Sequence, residues 1–308
     1  MKPCRLAVHT LLIFTCAIAV ASAQHVDDRY VPTVHDPVFP EGGGPVVVID
    51  EAHNNYHTME GRYRPFAEFL RAHNCTVLPA IQPCSNTTLD AADIFVIANA
   101  LGERNVDDWS LPVDNAFDIE EIDAIVRWVR EGGALFLITD HMPFPGAIDV
   151  LAKRFGIHYS NGFAFYAGRE GRGLMFTRGY DNLRSHWITD TPVNSYRVDS
   201  VVSYTGSAFT IEGEHDGLLV FGAGMISIEP EVSWEFHDNT RRTGIEGWRQ
   251  GAAMHYGKGR IVVFGEAGMF TAQRTDRGIP IGMNAQEGER NAALLVNIIR
   301  WLAGGDGL

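Results

Sequence analysis

Four acidic or amide residues stand directly after apolar runs: Asp50 after VVVI, Asn99 after DIFVIA, Asp140 after ALFLIT and Glu266 after RIVVFG. A carboxylate or amide there can hold a proton, a hydroxyl group or a cation, which an apolar strand end cannot. One terminal Asp is ordinarily a turn or helix cap. Four in one chain point to a shared ligand site. Histidines crowd two of them. The segment Asp50-Glu51-Ala52-His53-Asn54-Asn55-Tyr56-His57 offers Asp50, Glu51, His53 and Asn54 as ligand-binding groups. His53 and His57 would share a helical face, but Asn-Asn-Tyr separates them, so this is not the H-E-x-x-H of zinc proteases. Asp140-His141 opens the second cluster, and Gly265-Glu266-Ala267-Gly268 forms a third. Asp140, His141 and Glu266 are the candidates for acid–base chemistry. His186, in S-H-W-I-T-D, is a candidate contributor from above the sheet. Asp50, His53, Asp140 and His141 also make a donor set for a divalent metal, though no spacing is diagnostic, so the cofactor stays unassigned.

Positioning such groups requires strands that end together. Val46–Ile49, Thr76–Leu78, Asp93–Ala98, Ala134–Thr139 and Arg260–Gly265 read as strands buried on both faces, as in a parallel sheet. Helices are expected over 62–73, from the D-x-x-E box at Asp118 and Glu121 to Gly132-Gly133, over about 146–155, and over about 287–302. Strands alternating with helices predict an α/β fold with a doubly wound, mostly parallel sheet, whose ligands bind outside the strand carboxyl ends. Between about 158 and 251 the pattern gives way to Gly, Tyr, Ser and Thr with short β-like runs, read as a β-rich excursion within one domain spanning 45–304. The glycines of G-R-E-G-R-G (168–173) do not match a phosphate loop, and no G-x-S-x-G nucleophile elbow occurs.

With these pieces in place the chain resembles the class I glutamine-amidotransferase-like superfamily, a flavodoxin-like fold. The resemblance rests on VVVIDEAHNN, DIFVIAN, EEIDAIVRWVREGGALFLITDH, HWITDTPVNSYRV, GKGRIVVFGEAGMF and NAALLVNIIRWLAG. It implies a site at the strand ends. Catalytic amidotransferases carry a nucleophilic Cys after the strand that here ends in Asp140-His141, and this chain has no cysteine near it. A glutaminase reaction through a thiolate is therefore excluded. Two functions remain. The first is recognition of a polar small molecule, glycan or protein partner at the rim. The second is hydrolysis of a carbohydrate or ester by the rim carboxylates and histidines, with or without a metal.

The 308 residues carry 38 acidic and 25 basic side chains, a formal charge of −13, which disfavours nucleic acid and anionic lipid surfaces as partners. Residues 1–23 read as a signal peptide: Lys2 and Arg5, then an apolar run from Leu11 to Val20, then Ala21-Ser22-Ala23. Cleavage before Gln24 would leave a secreted or periplasmic protein with no stable membrane anchor. Residues 24–44 read as an extended leader. Cys75 and Cys84 lie beyond the signal, where export permits a disulfide whose formation only geometry decides.

Overall fold

The computed structural model describes residues 24–305, apart from 35, 192–195, 214–216 and 287. The expected signal peptide lies outside the described residues. Among them, no helix is long and apolar enough to cross a membrane.

The chain begins with β1 (Gln24–Val26), then β2 (Val46–Asp50), α1 (Arg64–Ala72), β3 (Thr76–Ala80), α2 (Asn86–Asp90) and β4 (Ile94–Ala98). It continues through α3 (Ile119–Glu131), β5 (Ala134–Ile138), α4 (Phe144–Ala147) and α5 (Asp149–Arg154). A long β-rich stretch follows: β6 (Ile157–Tyr159), β7 (Phe163–Tyr166), β8 (Leu174–Thr177), β9 (Ser200–Ser203), β10 (Phe209–Ile211), β11 (Gly217–Val220), β12 (Met225–Glu229) and β13 (Arg241–Gly244). The last elements are β14 (Arg249–Tyr256), β15 (Gly259–Phe264), β16 (Ala272–Thr275), β17 (Pro280–Gly282) and α6 (Glu289–Leu302).

Nine strands form the main sheet, in the order β3-β2-β4-β5-β15-β14-β10-β6, with β11 also on β14. The first five pair in parallel, and the other four join through antiparallel pairs. Three smaller sheets, β1-β16-β17, β13-β12-β7 and β8-β9, complete the structure. The expected doubly wound, mostly parallel, flavodoxin-like class is corrected by this architecture. Strands outnumber α-helices seventeen to six among the described residues. The segment read as an excursion supplies much of the fold, and its strands pair antiparallel throughout: β6 with β10, β7 with β12, β8 with β9 and β12 with β13.

Side-chain alternation divides the core in two. Val47 and Ile49, Val96 and Ala98, Phe136 and Ile138, and Val262 and Phe264 face α1 and α6. Val48, Phe95, Ile97, Leu135, Leu137, Ile261 and Val263 face α3 and α5. The α3 start is fixed by the expected capping box: Glu121 N donates to Asp118 Oδ1 at 2.9 Å, and Asp118 N donates to Glu121 Oε2 at 3.0 Å. Gly132, at φ 135, ends the helix. The leader is anchored at its start. β1 pairs with β16, and the buried Asp27 accepts from Arg274 Nε at 2.8 Å. Cys75 and Cys84 are free, buried, and in opposite halves of the core, so they make no disulfide.

Candidate functional site

Strand parity separates the expected site residues into two groups. Asp50 follows Ile49 within β2, so it points with Val48 to the α3 side. Asp140 and Glu266 lie two residues past Ile138 and Phe264, so they point to the α1 side.

On the α3 side Asp50 is fully buried. Its oxygens lie 2.8 and 2.9 Å from His53 Nδ1, and Asn55 Nδ2 donates to Oδ2 at 2.9 Å. His53 Nε2 lies 2.9 Å from Glu121 Oε1, which also accepts from Cys84 N at 2.8 Å. The imidazole packs on Phe117 with centroids 4.0 Å apart. Burial opposes its charge, but hydrogen bonds and attraction from Asp50 and Glu121 outweigh that and raise its pKa. Asp50, His53 and Cys84 are also the cluster with donor atoms close enough to hold a metal ion among the described residues. Asp140 and His141, expected to complete a metal set with Asp50 and His53, are not in it.

The α1 side carries the other group. Asn99, held at φ 49 after β4, is buried and bridges two partners. Its Oδ1 accepts from Asp140 N at 2.7 Å, and its Nδ2 donates to His57 Nδ1 at 3.1 Å. Burial and the nearby Arg62 guanidinium lower His57 to about 3, which keeps it a neutral acceptor. Asp140 is half-buried, and its Oδ1 caps the backbone N–H of His141 at 2.9 Å. Glu266 is buried and accepts from Tyr204 N at 2.6 Å and Met269 N at 3.1 Å. Loss of solvent and the nearby Asp140 charge raise Glu266 from 4.5 to about 8. Gly206, at φ +89, allows the loop after β9 to press on it. A Cβ there would meet Gly265 O at 2.1 Å and Glu266 Cγ at 2.8 Å. Tyr63, buried beneath, feels both carboxylates, and burial and their charge raise its pKa.

The raised Glu266 pKa has a direct consequence for stability. A folded-state pKa above the unfolded one means that the native state binds more protons between the two values. Stability is therefore present in full below about 4.5 and falls as pH rises toward about 8. The slope is on the order of 1 kcal/mol per pH unit. The buried, lowered His57, His73 and His141 gain stability over the same range, so the Glu266 contribution is read as a difference. In urea unfolding, the stability of wild type relative to Glu266→Gln should fall between pH 5 and pH 7.5, and a difference that does not change with pH would remove Glu266 as the cause.

Around His141, next to Asp140 in the chain, lies a cluster of aromatic rings that the strand-end pattern does not reveal. His141 stacks on Phe163, with centroids 4.4 Å apart and planes 13° apart, and meets Trp234 edge-on at 4.7 Å. Trp109 lies 6.1 Å from His141 and 5.5 Å from Tyr56, with Phe144 5.2 Å away. Tyr56 and Trp234 are exposed and Trp109 is half-exposed. Two loops bring these rings together: Ser233 N donates to Trp109 O at 2.9 Å, and Leu111 N to Glu231 O at 2.8 Å. Burial lowers the His141 pKa despite Asp140 and the Met142 carbonyl, which lies 2.7 Å from Nδ1.

The remaining candidates make backbone contacts or lie elsewhere. Glu51 Oε1 accepts from Met59 N at 2.5 Å. Asn54 is exposed at φ 48, its Nδ2 donating to Leu101 O at 3.4 Å. His186 stays away from the rim: its ring lies 5.7 Å from Trp301, which packs near Arg260 at the start of β15, the opposite end from Glu266. A cavity of about 640 Å³, lined by Arg178, Arg184 and Arg249 among others, contains none of the expected site residues. Its Arg178 and Arg184 pair with Asp190 and Asp181 at 2.6 and 2.7 Å.

No family model and no curated protein matches the chain. Solved structures do. One is the mmIFT52 N-terminal domain, at 13% identity and TM-score 0.59, covering 85% of this chain and 99% of that one. Another is a putative ThuA-like protein from Bacteroides uniformis, at 11% identity and TM-score 0.45, covering 88% and 94%. A third, a putative ThuA-like protein from Parabacteroides merdae, has 10% identity and TM-score 0.44, covering 84% and 90%. At such identity the likeness concerns the fold alone, and the IFT52 domain carries it. The strand-rich architecture overturns the expected membership of the glutamine-amidotransferase-like superfamily.

Proposed function

We propose that the protein binds a saccharide-class ligand at the rim around Asp140. The observation that carries this reading is the set of partly exposed rings, Tyr56, Trp109 and Trp234, gathered around His141, whose chain neighbour Asp140 is a half-buried carboxylate. Sugar C–H faces pack on aromatic faces, while sugar hydroxyls need a nearby acceptor, and this rim offers both. Asn99 positions Asp140 rather than touching the ligand, since it is buried. The protein would act outside the cytoplasm, as the sequence of residues 1–23 suggests.

Calorimetric titration against a panel of neutral and acidic oligosaccharides tests the reading. A binder should lose at least about tenfold in affinity in both Trp234→Ala and Asp140→Asn, or about 1.4 kcal/mol each. Binding that both variants leave intact places the ligand elsewhere, and no binding across the panel rejects the class.

A second reading, hydrolysis, is favoured by Glu266 and Asp140. Burial and the Asp140 charge push Glu266 up to about 8, so it holds a proton at neutral pH beside a second carboxylate. Two carboxyl groups in unequal environments are what acid–base hydrolysis needs. Reducing-end release from bound saccharides, abolished by Asp140→Asn and Glu266→Gln, would establish it. Binding without release confines the protein to recognition.

A further inference from the structure

We propose that Asp50, His53 and Cys84 bind a divalent cation of the zinc class, with Glu121 orienting the imidazole from behind. This site is independent of the rim. Its donor atoms lie within 4.8 Å of one another, and all three residues are buried. They come from separate segments: the end of β2, the loop after it and the loop before α2.

Three features favour a metal over a chance contact. The first is the division of labour on His53. Nδ1 faces Asp50 at 2.8 and 2.9 Å, while Nε2 sits 2.9 Å from Glu121. Metal-bound histidines repeat this pattern, one nitrogen on the ion and the other N–H held by a carboxylate. The second is rigidity. Glu121 is fixed by the α3 capping box and by the Cys84 N–H, and Asp50 by Asn55. The third is charge. Among the described residues, the ion pairs shown for Asp50 and Glu121 are with His53 alone, so two buried carboxylates share one imidazole. A divalent cation would give both carboxylates a stronger counter-charge than the one imidazole they share.

The donor chemistry selects the ion. Imidazole and thiolate suit zinc and cobalt and are poor partners for magnesium or calcium. On binding, the metal–Nδ1 and metal–Sγ bonds form as the Nδ1 proton and the thiol proton pass to solvent. Nε2 keeps its proton and donates to Glu121. Asp50 supplies one or both oxygens, and no electron is transferred.

The test uses the full chain, stripped with chelator and titrated with Co²⁺ under reducing conditions. One equivalent should saturate the visible bands of four-coordinate cobalt and a near-ultraviolet thiolate-to-cobalt band, and Zn²⁺ should abolish both. Cys84→Ser should lose the thiolate band and at least tenfold in affinity. Cys75→Ser, in the other half of the core, should keep both. Glu121→Gln should weaken binding about 10- to 100-fold. X-ray absorption of zinc-loaded wild type needs no variant, and one sulfur scatterer at about 2.3 Å is expected. Substoichiometric binding, a shell of nitrogen and oxygen alone, or a thiolate band that survives Cys84→Ser would overturn the proposal.

Discussion

Replacing Asp50 with Ala should cost about 3–5 kcal/mol of folding stability, measured by urea unfolding in the presence of chelator. The carboxylate is fully buried at the end of a central strand, where it takes the side of His53 facing away from Glu121 and satisfies Asn55 Nδ2. Removing it leaves the buried His53 Nδ1 without its acceptor and Asn55 Nδ2 with only a 3.4 Å bond to Ala98 O, where little solvent reaches to compensate. Asp50→Asn keeps the shape and one acceptor, so it should lose less than Asp50→Ala. Equal losses in the two variants would show that packing, rather than the hydrogen-bonded pair, accounts for the effect. A loss below about 1 kcal/mol in Asp50→Ala would mean that the pair contributes little.

Phe136→Ala should have an effect of similar size by another route. Phe136 sits in the middle of β5 with no exposure. It meets Phe270 at 5.5 Å, Phe264 at 6.1 Å and Phe66 at 6.4 Å, in a ring cluster under the rim. Truncation leaves a cavity among rigid neighbours and should cost about 3–5 kcal/mol. The consequence should reach the site, because Phe270 follows Met269, whose N–H holds Glu266. Guanidinium unfolding should show the lost stability, and near-ultraviolet circular dichroism should show loosened aromatic packing. Phe136→Leu should recover most of the stability. A full collapse of the cavity would instead keep the loss under about 1.5 kcal/mol.

The sequence discloses the strands of the parallel block and their polar ends, and the α3 cap at Asp118 and Glu121. It does not disclose which way each end points. Val46–Asp50 and Ala134–Ile138 are apolar on both faces, so neither carries an amphipathic phase to assign Asp50 to one side and Asp140 to the other. Two-residue alternation counted from the buried register gives that answer once the sheet order is known. Glu121 reads as a capping residue and is one, yet its second role, holding His53 from 68 positions away, has no local signature. The aromatic rim is hidden for the same reason. Trp109 and Trp234 come from irregular segments more than a hundred residues apart, joined by backbone hydrogen bonds that no periodicity encodes. The β-rich half was legible as β-like but not as part of the main sheet. Its strands are mostly three or four residues long, too short to show which partner they choose.

Arg62 gives the first strand a stake in the rim. Its guanidinium donates to Gln24 O at 3.0 Å and to Gln273 Oε1 at 2.7 Å. It also donates to the Tyr56 hydroxyl at 2.8 Å, lying 4.3 Å over that ring. One side chain thus joins the docking of β1 to the pose of an exposed ring that a ligand would use. Such a joint is thermodynamically reciprocal. A ligand that draws on Tyr56 in its present pose tightens the hold on Gln24, and whatever loosens β1 weakens that ligand by the same factor. The beginning of the described chain and the rim are therefore two ends of one equilibrium.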